Sequence, residues 1–220
     1  ICTANVLDTI PPTHETYRRY RLEAMVADSN KEWQKAGLLP ITIAVNISSK
    51  LLKQPDFCEM ILREMNESGL APEYLEMELS ENALHDIMLS TSYLNNFCDL
   101  GVKISIADFG SGFTSLRYLK NLPIYKIKID KSFIKGIEKS KSDREIIKAI
   151  INMAHSMDIK AIAEGVENAS QLEFLQSHDC DEAQGFYLSA PISSEDIFEM
   201  MKELRPDQIV NLWEMLGQTS

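Results

Sequence analysis

The chain has 220 residues, with 22 Lys and Arg against 33 Asp and Glu, a formal net charge of −11, and 45% hydrophobic residues. Such values suit a globular chain able to bury a core without staples, and 9 Gly with 8 Pro exclude low complexity. No apolar run approaches the ~18 residues of a membrane span, so no membrane contact is expected of this domain, and the acidic balance argues against binding a nucleic-acid polymer.

The opening ICTANVLDT has no basic region and does not read as a signal peptide. An anionic ligand stays possible where a metal or nearby Lys and Arg cancel the repulsion. Cys2, Cys58, Cys98 and Cys180 are scattered without a CxxC pair, which reads as small apolar residues in a reducing compartment.

No repeat or linker divides the chain, so one domain is read over 1–220. A helix is expected over about 18–36, carrying Trp33 and ending before Gly37. Short β-branched or apolar runs predict strands at 41–48, 74–81, 103–109, 126–130, 160–166 and 182–188. Between them lie helices. Residues 56–68 place Phe57, Met60, Ile61 and Met65 at helical spacing before Gly69. Residues 83–99 read as one helix closed by Gly101. A third covers 142–157, with Ser142 as N-cap and Glu145 completing a capping box. Further helices are expected at 170–178, 194–204 and, in the tail, 206–217.

Strands alternating with helices predict a parallel α/β sheet, either open and doubly wound or closed into a barrel. In both, chemistry collects at the C-terminal ends of the strands. Polar residues do gather there: Asn46, Glu78 with Glu81, Asp108 before FGSG, Lys128 with Asp130, Glu164 with Glu167, and Gln184. Carboxylates so placed repel unless a cation neutralises them. Carboxylate and amide oxygens suit Mg²⁺, Mn²⁺ or Ca²⁺, which can clamp a phosphodiester and activate water. Two readings stand level on spacing alone: a metal-dependent phosphodiester site, or a wet acidic rim without a ligand.

The segments VNIS (45–48), LEMELSE (75–81), ADFGSGFTSL (107–116), KIKIDKSF (126–133), AEGVEN (163–168) and AQGFYLSAP (183–191) closely resemble the EAL domain. That bacterial family hydrolyses cyclic di-GMP to a linear dinucleotide. The resemblance runs over about residues 20–203 and implies a TIM-like (β/α)8 barrel with one antiparallel strand. It also implies a cytoplasmic bacterial protein, Mg²⁺ or Mn²⁺ as cofactor, and a homodimer or a partner domain within a larger protein.

By the same resemblance, Asn46, Glu78, Asp108 and Glu164 are metal ligands. Lys128 orients the attacking water or contacts phosphate. Glu81 braces the loop 109–116, which includes Ser111, and Glu167 and Gln184 take supporting rim positions. For Glu81, Glu167 and Asp130, a cap or loop-ordering role is favoured over direct chemistry.

The chain departs from the family in two respects. Glu-Ala-Leu, the motif that names it, does not occur; Leu22-Glu23-Ala24 falls inside the expected first helix. Segment 1–19 is too short for the usual two first strands and their helix, so the barrel is expected to be incomplete there. Where the family has two consecutive aspartates, this chain reads Ala107-Asp108. Ser111, Phe113 and Thr114 are conservative departures within the loop.

The expected function is therefore a degenerate domain that binds cyclic di-GMP with little or no hydrolysis and holds metal weakly or not at all. An active phosphodiesterase is the first alternative. An interaction module is the second, with Ile209, Leu212, Trp213 and Leu216 as a candidate stripe.

Overall fold

The computed structural model describes residue 37 and residues 41–52, 54, 56–87, 91–112, 116–191 and 194–203. The expected helices at 18–36 and 206–217, the tail stripe, Cys2, Phe113 and Thr114 lie outside the described residues. The chain divides into two compact units, residues 1–79 with 83–104, and residues 80–82 with 105–220.

In the first unit, strand β1 (Ile43–Ile47) pairs in parallel with β2 (Leu75–Ser80), from Ile43 opposite Leu75 to Ile47 opposite Leu79. A short helix α1 (Ser49–Leu52) follows β1, and α2 (Phe57–Ser68) supplies the crossover. Helix α2 buries Phe57, Ile61 and Met65, the i, i+4, i+8 stripe of an amphipathic helix. Met60, expected on that face, is only half-buried. The helix stops at Gly69, whose φ of 69° is the left-handed cap that glycine adopts most readily, and its N–H bonds Met65 O. Phe57 meets Phe97 edge to face at 5.8 Å.

The single helix expected over 83–99 is two, α3 (Glu81–Ile87) and α4 (Thr91–Asp99). Glu81 begins α3, where a carboxylate complements the helix dipole, so β2 ends one residue earlier than expected.

In the second unit, β3 (Lys103–Phe109), β4 (Lys126–Ile129), β5 (Lys160–Glu164) and β6 (Glu182–Gln184) pair in parallel in chain order. Strand β4 is buried at every residue, as a parallel strand covered on both faces must be. Two short helices not read from the sequence, α5 (Leu116–Leu119) and α6 (Lys131–Gly136), follow β3 and β4. Helix α7 (Lys141–His155) buries Ile147, Ile150, Ile151 and Ala154. Its N-cap is Ser140, whose hydroxyl accepts from Asp143 N at 3.1 Å, so the expected cap Ser142 lies in the first turn. Helix α8 (Ala169–Gln176) is capped by Asn168, and α9 (Ser194–Glu203) completes the described elements.

Strand β6 ends well before the expected residue 188. Gly185 is the cause: a Cβ there would run into the backbone of Val166, and the chain turns away. Strand β5 likewise stops at Glu164, because Gly165 takes φ 78°.

Cys180, between α8 and β6, is buried, and burial pushes its thiol up to about 12 from an ordinary 9.0. Between those values the unfolded chain sheds the proton and the folded chain keeps it. Stability is therefore lost as pH rises past about 9. At pH 8 the folded chain thus holds far less of this thiolate, the reactive form, than the unfolded chain does. Iodoacetamide should leave the Cys180 peptide unmodified in the native protein and label it in denaturant, as read by peptide mass. Equal labelling in both states would contradict this burial.

Candidate functional site

Both units carry polar residues at strand ends. In the first, Asn46 and Glu78 are register partners on β1 and β2, so both side chains emerge on the same face of the pair. Asn46 is exposed and Glu78 is buried. One amide oxygen and one carboxylate thus stand on neighbouring strands.

In the second unit, period-two alternation puts Lys126 and Lys128 of β4 on one face. Their partners in register are Lys160 and Ile162 of β5, and Ile162 and Glu164 pair in turn with Glu182 and Gln184 of β6. This face carries two stacked ion pairs. Lys128 Nζ lies 2.5 Å from Glu164 Oε1, and Lys126 Nζ lies 2.7 Å from Glu182 Oε2. Both lysines are buried, and a buried ammonium needs such a partner. Gln184 is the register partner of Glu164, which places an amide beside the upper pair.

The lower pair was not singled out from the sequence, although the i, i+2 spacing in KIKID is a signal for it. Lys160 also reaches Glu182 at 3.6 Å and lies over the Tyr125 ring. Burial works to lower the Lys160 pKa, but Tyr125, Glu182 and Asp181 together outweigh it and hold the ammonium above its ordinary value.

Strand β3 ends in an irregularity between Ile106 and Phe109. Within it, Ala107 is buried, while Asp108 is exposed with φ 56°, a left-handed conformation that Asp tolerates better than most residues. The loop that follows is held from two sides. Ser111 Oγ and Ser111 N both donate to Asp108 O, at 2.7 and 3.1 Å. Glu81 Oε2 accepts from Gly110 N at 2.8 Å and Gly112 N at 2.9 Å. Gly110 packs on Phe133 so closely that a Cβ would sit 2.6 Å from its ring. Glu81 therefore ties the start of α3 to the β3 loop, and charge-assisted bonds of this type are stronger than neutral ones.

Asp130 and Glu167 both serve local structure. Asp130 caps α6, accepting from Ser132 N at 2.9 Å. Glu167 N donates to Gln171 Oε1 at 2.7 Å, while Asn168 caps α8, and the exposed Glu167 carboxylate meets Lys135 at 3.4 Å.

The donor types of Asn46, Glu78, Asp108 and Glu164 suit a hard divalent cation. Glu164 already carries the Lys128 ammonium, Ala107 offers no lone pair, and among the described residues no three of His, Cys, Asp or Glu come together to hold a metal ion. In donor type, the residues that each unit carries suit such a cation. Nor, among the described residues, is any helix long and apolar enough to cross a membrane.

Residues 14–191 match the EAL domain family. The signalling protein YkoW of Bacillus subtilis is 40% identical over 177 residues, which are 80% of this chain and 22% of that protein. The cyclic di-GMP phosphodiesterase NbdA of Pseudomonas aeruginosa is 38% identical over 173 residues, 78% of this chain and 22% of that protein. The chain thus spans about a fifth of the length of these curated relatives.

Among solved structures, the phosphodiesterase PaMucR in complex with c-di-GMP superposes with a TM-score of 0.78 at 32% identity, covering 83% of this chain and 74% of that one. The EAL domain of Mycobacterium smegmatis DcpA gives 0.79 at 31% identity, covering 85% and 84%. The fold class is thus α/β, of the TIM-like barrel type of these structures. The expected antiparallel strand is not among the pairings β1–β2, β3–β4, β4–β5 and β5–β6.

Proposed function

The chain belongs to the EAL domain family of cyclic di-GMP signalling, and on that premise we propose that it is a receptor module, binding cyclic di-GMP with little or no hydrolysis. The observation that carries this reading is Ala107. It is buried at the end of β3, directly before Asp108, where the family resemblance calls for the first of two aspartates. A methyl group cannot bridge two cations.

Hydrolysis in this family depends on Mg²⁺ or Mn²⁺, which when bound supplies charge neutralisation and an acidified water. Asn46, Glu78, Asp108 and Glu164 are the residues that would hold it. Losing one precisely placed catalytic group costs ~10²–10³ in rate, and a lost ligand weakens metal affinity as well. Binding asks less. The ammonium of Lys128 and the amide of Gln184 can hold phosphate and ribose oxygens, and the Glu81 brace keeps the loop 109–112 in shape. With −11 charges overall, affinity for a dianion should rise with divalent cation.

A second reading, active hydrolysis, draws support from the Lys128–Glu164 pair and from the likeness to NbdA. Incubating the protein in molar excess over cyclic di-GMP with Mn²⁺, followed by chromatography, separates the two. The receptor reading expects the cyclic dinucleotide to be recovered intact. Conversion of most of it to the linear form within minutes would overturn that reading.

As in the relatives that are far longer, the module would act within a larger protein or as a dimer, in the bacterial cytoplasm.

A further inference from the structure

We propose that Phe186 is a stacking platform for a purine base of the bound nucleotide, an inference that rests on the cyclic di-GMP reading above. A single apolar side chain on a surface ordinarily needs no account. Phe186 differs in exposure, placement and support.

Its ring is 72% exposed, the most open of the large hydrophobic side chains described, and Tyr187 beside it is 43% exposed. It stands two residues beyond Gln184, at the C-terminal end of β6. Gln184 is the register partner of Glu164, which holds Lys128. The ring is thus carried at the strand end where the charged and amide groups of this unit collect.

The turn beneath it is fixed. Gly165 N and Val166 N both donate to Gln184 O, at 2.7 and 3.1 Å. Tyr187 N donates to Val166 O at 3.0 Å, and Leu188 N and Ser189 N donate to Gly185 O at 3.0 and 3.1 Å. Gly185 itself abuts the Val166 backbone with no room for a Cβ. Phe186 therefore sits on a pedestal that loses little freedom when a ligand arrives, the condition under which a stacking contact contributes most.

The chemistry points to a base. An aromatic face takes any nucleobase, and stacking needs no charge. That matters in a chain whose net charge of −11 repels an anionic ligand. Lysine and amide groups can meet the phosphates while the ring holds the uncharged part.

Calorimetric titration of cyclic di-GMP into the native protein, Phe186→Ala, Phe186→Tyr and Phe186→Trp tests this. Phe186→Ala should weaken binding about tenfold, with the ligand-free melting temperature unchanged because the ring is exposed, and Phe186→Tyr should retain native affinity. The emission of Phe186→Trp should be quenched as sites fill, beyond any change in the native protein from Trp33 and Trp213. Native affinity in Phe186→Ala, or an unmoved signal in Phe186→Trp while heat reports binding, overturns the proposal and leaves the receptor reading standing. Absence of binding by the native protein removes both. Self-association lost in Phe186→Ala at unchanged nucleotide affinity assigns the ring to a second copy of the chain and overturns the proposal.

Discussion

Ala107→Asp should bind Mn²⁺ about 10- to 100-fold more tightly than the native chain, the range by which groups ordering a metal site commonly change affinity. Ala107 directly precedes Asp108 at the β3 irregularity, one residue beyond the regular pair Ile106–Ile127. Position 107 lies between Ile106, paired with Ile127, and Phe109, paired with Ile129, so an introduced carboxylate would stand on the strand beside β4, which carries Lys128 and its partner Glu164. There it would draw the ammonium away from Glu164 or supply the missing cation ligand. Ala107→Asn, nearly the same size but uncharged, should give a smaller gain. Circular dichroism confirms folding of both. Unchanged Mn²⁺ affinity in a folded Ala107→Asp would contradict the role assigned to this position.

Lys126→Met should destabilise the fold by about 3 kcal/mol, the scale on which breaking a buried ion pair acts. Lys126 is buried, bonds Glu182 at 2.7 Å and lies 5.4 Å above the Tyr125 ring. Removing it leaves a shielded carboxylate with Lys160 at 3.6 Å as a poorer partner. In a chain of this length that corresponds to a melting temperature lower by roughly 6–12 °C. Adding Glu182→Gln to Lys126→Met should restore part of the loss, since the orphaned charge is then gone. Denaturant unfolding reads both. A single variant within about 0.5 kcal/mol of native would show that the pair carries little.

Most of the strands and helices were legible because their signals are local. Short β-branched or apolar runs mark β1 to β5, and Gly69 and Gly101 close their helices through a backbone conformation that glycine adopts most readily. What escaped depends on contacts distant in sequence. Strand β6 stops at Gln184 because Gly185 meets the Val166 backbone, which no local pattern announces. Two serines two residues apart both resemble a cap for α7, and only the bond from Asp143 N selects Ser140. The spacing in KIKID puts Lys126 on the face of Lys128, but its partner Glu182 lies far along the chain and only the fold brings it there.

The candidate site was more legible than the element boundaries. Asn46, Glu78, Asp108, Lys128, Glu164 and Gln184 are polar residues at strand ends, and each unit pairs some of them by register. The direct Lys128–Glu164 bond and the double acceptance by Glu81 are geometric facts that spacing does not contain. Phe186 stood only within the expected strand 182–188 and the segment AQGFYLSAP, where its exposure could not be read because the end of β6 at Gln184 was not foreseen.

The most direct measurement is an isothermal titration of cyclic di-GMP into this chain with Mg²⁺ present. The receptor account predicts a saturable isotherm that returns to baseline after each injection. No heat at ligand concentrations well above the micromolar range would contradict it.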